Sequence, residues 1–180
     1  MRFVLFWAAV VGWTMALIAH VCSLADIDVQ EKIPYIWGLH IGVFLIWIPM
    51  VYVLKNSGGV NPFQASEVRR SGNPIRFFKT LSEGTPSWIV GIAVVGLVYA
   101  FANFFVFFFA QGGTPAVRDG QYYLHSHGQW IRNITEKEYH HYKAATIRGF
   151  SGHWIAFYGI AVAMLYPYKR ELASPALDRA

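Results

Sequence analysis

The chain has 180 residues, of which 55% are hydrophobic, 17% aromatic and only 14% charged, with a formal net charge of +5. Soluble domains run nearer a quarter charged, so this composition argues against a single water-soluble globule. One cysteine, Cys22, rules out an intramolecular disulfide framework and any cysteine-based zinc or iron–sulfur centre; the basic residues are spread by loop, which argues against a nucleic-acid partner.

Hydropathy separates four apolar segments in chain order: Phe3 to Cys22, Tyr35 to Leu54, Trp88 to Ala110, and Gly149 to Tyr166 just before Pro167. Each has roughly the 17–25 residues that cross about 30 Å of hydrocarbon as a helix. None contains Asp, Glu, Lys or Arg. Helices are required because lipid cannot satisfy unpaired backbone groups. The first segment also resembles a signal peptide, with Arg2 before it and Ser23-Leu24-Ala25 as a cleavage site. Its apolar run exceeds the usual h-region and carries bulky Trp7 and Trp13, so the expectation is a retained span. The fold class expected is an all-α integral membrane protein, one domain over residues 1–180, built as a bundle of four transmembrane helices.

The loops orient it. Lys55, Arg69, Arg70, Arg76 and Lys79 lie between spans two and three, Lys169, Arg170 and Arg179 follow span four, and Arg2 precedes span one. The short first loop instead has Asp26, Asp28 and Glu31 against Lys32. The positive-inside rule puts both termini and the basic 55–87 loop in the cytoplasm of a multi-pass plasma (inner) membrane protein. In that loop Val68, Ile75, Phe77, Phe78 and Leu81 alternate with basic residues between Gly58-Gly59, Asn61-Pro62 and Asn73-Pro74 turns. Short amphipathic segments on anionic headgroups are expected, and a partner-docking loop would read alike.

The outer loop, residues 111–148, reads as an ordered module. Asp119-Gly120 is a turn, and Gln121 to His125 and Gln129 to Ile134 are strand-like runs around Ser126-His127-Gly128, which predicts a small β-hairpin. Thr135-Glu136-Lys137-Glu138 fits a helix capping box, with Ile134 placed to staple onto Tyr139. The helix it starts runs through Ile147 toward span four.

Within the spans, Gly38 with Gly42 and Gly159 with Ala163 are small-xxx-small pairs that permit close helix approach. Asn103 reads as an interhelical hydrogen-bonding residue, and Phe104, Phe105, Phe107 and Phe108 as packing and lipid contact.

Chemistry is suggested only by the histidines, all seven of which fall at or beyond the outer leaflet on this topology: His20, His40, His125, His127, His140, His141 and His153. Imidazole ligates haem iron, copper or zinc. His20, His40 and His153 have matched depth for a haem b pair inside a bundle. His125 and His127, two apart on a strand, project to one face, and with His140 and His153 make a candidate copper or zinc set. His140 and His141 diverge by about 100° on a helix, so one site does not take both. Against this, no HExxH, CxxC or CxxCH spacing is present, and histidine suits an interfacial aromatic belt.

A coupled transporter needs ionisable groups within the membrane. GxSxG, paired intramembrane carboxylates and phosphate-binding loops are also missing. The leading expectation is therefore a non-enzymatic accessory or scaffold protein that docks other membrane subunits, or a second copy, through Tyr122, Tyr123, Trp130 and Tyr142. Its rival is a haem- or metal-binding redox protein; a lipid- or small-molecule-binding bundle is a third reading with no discriminating residue.

Overall fold

The computed structural model describes residues 1–56 and 84–166. Among these described residues, five α-helices and a 3-10 turn follow in chain order: α1 (Arg2–Leu24), α2 (Val29–Lys32), the 3-10 turn (Pro34–Trp37), α3 (Gly38–Asn56), α4 (Ser87–Ala110) and α5 (Glu136–Leu165). Between α4 and α5 lies one antiparallel sheet of β1 (Thr114–Arg118), β2 (Gln121–Ser126) and β3 (Gln129–Asn133), in that order. The expected amphipathic segments of the 55–87 loop and the basic tail fall outside the described residues.

Among the described residues, three helical stretches are long and apolar enough to cross a membrane: α1, Pro34–Leu54 and α4. α5 differs from them. It is 30 residues long, about 45 Å at 1.5 Å per residue, and its course includes Arg148, Ser151 and His153. Its burial explains the lower apolarity. Ile147, Trp154, Tyr158, Ala161, Ala163 and Leu165 are at most 2% exposed, whereas Val4, Ile48, Val95 and Phe108 on the other helices are each more than 60% exposed. α1, α3 and α4 thus sheathe α5 and turn their large apolar side chains outward. A sheathed helix meets protein, so small and polar residues are tolerated where a lipid-facing helix needs hydrocarbon.

Small residues let the axes approach. Tyr158 fills the space where Gly12 and Gly42 lack a side chain, its ring lying against Gly12 and its hydroxyl against Gly42. Gly149 lies under the ring of Phe107, where a Cβ would come within 2.5 Å, and Gly152 under Asn103 at the same distance. Gly159 of the expected small-residue pair meets Trp13 and Ala93 of the same chain, while Gly38 has open space beside it. Hydrogen bonds to backbone carbonyls then tie the helices together. Tyr158 Oη donates to Leu39 O (2.8 Å), Trp47 Nε1 to Phe157 O (3.0 Å) and Thr85 Oγ1 to Ala163 O (2.8 Å). Asn103 Nδ2 donates to Arg148 O (2.9 Å) and Gly149 O (3.2 Å), the interhelical role expected of it.

At the other end of α5, the Arg2 side chain donates to Leu165 O (3.4 Å), Met164 O (3.5 Å) and Tyr166 O (3.0 Å). A cation there satisfies carbonyls that have no intrahelical partner and complements the helix dipole. The start of α1 and the end of α5 therefore lie together.

The sheet corrects the expected two-stranded hairpin. Asp119-Gly120 closes a first hairpin between β1 and β2, with Arg118 opposite Gln121, and His127-Gly128 closes a second, with Ser126 opposite Gln129. All four turn residues have positive φ: 52° and 75° in the first turn, 49° and 82° in the second. That is the two-residue turn whose twist matches the strands. Pro115 sits on β1, which pairs on one side only, where a missing N–H is tolerated. β2 loses register with β3 between Leu124 and His125, the mark of a bulge. The expected capping box starts α5: Glu138 N donates to Thr135 Oγ1, and Thr135 N to Glu138 Oε2.

Candidate functional site

Three acids of the short loop after α1 meet the first turns of α5. Asp26, at φ 56°, turns the chain out of α1. Asp28 then caps α2 by accepting from Glu31 N at 3.1 Å, which places Asp28 and Glu31 on one side of that single turn. His140 Nδ1 lies 3.2 Å from Asp28 Oδ2 and 3.7 Å from Glu31 Oε2. One ligand atom from each of the three lies within 4.8 Å of the others, and Asp28 is buried. His141 diverges, as adjacent helical residues do, and reaches Asp26 Oδ1 at 3.0 Å, which is also 4.0 Å from Arg148. Burial, then the charges of Asp28 and Glu31, pushes the Tyr139 phenol above its ordinary pKa. Beside it Arg132 and Thr135 hold the Glu138 carboxyl down to about 2.

A second polar cluster lies deeper, at His20. Its Nδ1 is 2.8 Å from Ser151 Oγ and its Nε2 is 2.5 Å from Tyr99 Oη. Ser151 donates to Arg148 O at 3.2 Å, so its oxygen is left to accept from His20 Nδ1–H. In the tautomer protonated at Nδ1, Nε2 accepts from the Tyr99 hydroxyl. In that tautomer donors run one way, from Tyr99 through His20 and Ser151 to a helix carbonyl. With both ring nitrogens so engaged, His20 has no lone pair free for iron.

The other histidines expected to act together are held apart. Trp154 Nε1 donates to His40 Nδ1 at 3.1 Å. His153 Nδ1 is 3.2 Å from Gly149 O, and its ring packs edge-on against Phe104. No hydrogen bond or ring contact joins any two of His20, His40 and His153 among the described residues. His125 is on β2 with its Nδ1 buried and unpartnered, but His127 is in the turn at φ 49°, so strand alternation does not carry both rings to one face. Of His125, His127, His140 and His153, only His140 belongs to a potential ligand cluster among the described residues.

The four aromatics expected to contact a partner divide likewise. Tyr122 packs on Tyr139 with centroids 5.0 Å apart, Tyr123 lies beside His125, and the Tyr142 hydroxyl is 3.4 Å from Arg132. Trp130 is the most exposed of the four, at 64%, next to exposed Ile131 on β3, with its indole Nε1 donating to Asn133 Oδ1 at 3.3 Å. In the sequence the loop acids read only as topology signals. Their spacing in a loop with one lysine was the available sign that they serve α5. Compared with known families, curated proteins and solved structures, the chain matches none.

Proposed function

We propose that this chain is a non-enzymatic accessory or scaffold protein of the membrane, a four-helix bundle with both termini cytoplasmic, whose outer sheet docks an extramembrane segment of another membrane subunit. The observation that carries this reading is the edge of β3 away from β2, unpaired among the described residues: all five residues of β3 are exposed, Trp130 and Ile131 among them. An unpaired strand edge presents a row of backbone donors and acceptors, and an extended partner segment adds to it as a further strand. Trp130 is the anchor, since a large amphipathic ring gives contact area at low entropic cost.

A photo-crosslinking residue at position 130, activated in native membranes, tests this, with one at lipid-facing Phe108 as control. A defined heavier adduct from position 130 alone supports partner docking, and an adduct of twice the chain mass means a second copy. Absence of any adduct at 130, with a bare monomer in mild detergent, overturns it.

A second reading rests on the convergence of Asp28, Glu31 and His140. One imidazole and two carboxylates suit zinc or a similar divalent metal with a position left open. Elemental analysis of protein purified without chelators tests it. Stoichiometric metal that Asp28→Asn and His140→Ala both remove supports a metal site. Metal-free protein leaves the three residues as ion pairs that pin the first loop to α5.

A further inference from the structure

Between α4 and α5, beside the last turn of α1, lies a cavity of about 440 Å³. That is in the range of small-molecule sites, roughly 300–1,000 Å³. Its mouth is at the sheet end of the helices, where Leu24 closes α1, Gln111 follows α4 and His141 is in the second turn of α5. His141 and its partner Asp26 are each about half exposed, so water reaches the mouth. From there the cavity runs inward along α4, past Val106 and Phe107, to Asn103 and Tyr99. These are seven and eleven residues from the end of α4 at Ala110, about 10 and 16 Å along the axis.

Arg148 spans this depth. α5 runs inward from the mouth, and helical side chains slant toward their N-terminus. The Arg148 carbonyl therefore stays level with Asn103, from which it accepts at 2.9 Å, while its guanidinium reaches back to within 4.0 Å of Asp26, beyond the end of α1. The charge is at the mouth, and uncharged groups lie deeper. A guanidinium offers five donors in a fixed fork. Its one acidic neighbour among the described residues is Asp26, which lies closer, at 3.0 Å, to His141. The floor has the opposite character. Asn103 commits its amide nitrogen to the carbonyls of Arg148 and Gly149, and its Oδ1 has no described partner and is not enclosed. In the tautomer with His20 protonated at Nδ1, the Tyr99 hydrogen goes to His20, which leaves the Tyr99 oxygen as an acceptor.

We infer that this cavity binds a small hydroxylated organic acid from water, its carboxylate on Arg148 at the mouth, its carbon body along Val106 and Phe107, and its hydroxyl toward Asn103 and Tyr99. The guanidinium fork takes a carboxylate through two parallel charge-assisted bonds. One negative charge suits one cation that already has Asp26 beside it; the second charge of a phosphate dianion would meet that carboxylate unopposed. A hydroxyl suits the floor. An acyl chain in its place would displace water and leave Asn103 Oδ1 without a donor, which costs free energy. The site is independent of the β3 edge and of the Asp28–Glu31–His140 cluster.

The test is equilibrium dialysis of radiolabelled 4-hydroxybenzoate against the full chain in mild detergent, with empty micelles as the blank. Saturable binding of one molecule per chain is expected. As competitors, neutral 4-hydroxybenzamide should be weaker than 4-hydroxybenzoate by roughly tenfold or more, the effect of one charge-assisted contact, and benzoate by roughly fivefold, the effect of one neutral hydrogen bond. Inorganic phosphate, and phosphatidylglycerol doped into the micelles, should leave the binding unchanged. Arg148→Gln should erase the preference for acid over amide. Ala145→Leu, which fills the cavity from α5 without touching a charge, should abolish binding and serves as the second variant should Arg148→Gln not fold. No saturable binding to the unaltered chain, equal competition by acid and amide or by acid and benzoate, or full binding in either variant overturns the inference. Displacement by phosphate or by phosphatidylglycerol also overturns it, in favour of an inorganic-anion or a lipid site.

Discussion

Replacing Gly152 by Ala probes whether close backbone approach holds α4 against α5. A methyl group there would lie 2.5 Å from Asn103 Nδ2 and 3.2 Å from its Cγ, well inside contact. Asn103 must swing aside and give up its bonds to Arg148 O and Gly149 O. Interhelical bonds in membranes contribute about 0.6 kcal/mol each on average, so the pair amounts to about 1 kcal/mol. Overpacking adds about 1–3 kcal/mol, against about 1 kcal/mol that Ala gains over Gly in a helix. Gly152→Ala should therefore destabilise by about 1–3 kcal/mol. The background Asn103→Ala changes the sign of the argument. Only the β-carbon of residue 103 then remains, 3.5 Å from the new methyl, which is ordinary contact. There, Gly152→Ala should cost nothing or stabilise slightly, so the two changes are coupled by about 1–3 kcal/mol. Equilibrium unfolding in mixed micelles of mild detergent and dodecyl sulfate, run on all four versions, measures the coupling. Costs that add to within about 0.5 kcal/mol would refute the reasoning.

Three further outcomes are expected. Glu138 has its folded pKa depressed from 4.5 to about 2 by Arg132 and Thr135, so its contribution is full above 4.5 and is lost as pH falls toward 2. Hydrogen-exchange protection at the start of α5, corrected for intrinsic rates, should be flat from neutral pH to 4.5 and fall below it, and Glu138→Gln should remove that pH dependence. Arg2→Ala should cost about 1 kcal/mol and speed exchange in the last turn of α5, with Arg2→Lys intermediate; unchanged exchange there would separate Arg2 from the helix end. Tyr158→Phe should cost only about 0.6 kcal/mol for the bond to Leu39, and Tyr158→Ala about 3–5 kcal/mol because its ring fills the space beside Gly12. Similar values for the two variants in the same micelle assay would overturn that partition.

Local chemistry made much of this protein legible from the chain alone. Lipid forces backbone hydrogen bonds to close within a segment, so spans show as continuous apolar runs, and three were found within a few residues of their ends. Asp119-Gly120 and the box from Thr135 to Glu138 act over two to four residues and read directly. What tertiary structure decided acts over distance. β1 is short, carries Pro115, and exists as a strand because β2 pairs with it. α5 is the buried axis because three other helices cover it, which its own residues cannot specify. The histidines were visible, but their partners depend on how each helix is rotated and on which loop returns to it. Asp28 meets His140 across 112 positions and His20 meets Ser151 across 131. Residue type shows which groups are able to bind a proton, a metal or an anion; only the packing of helix against helix determines which of them meet.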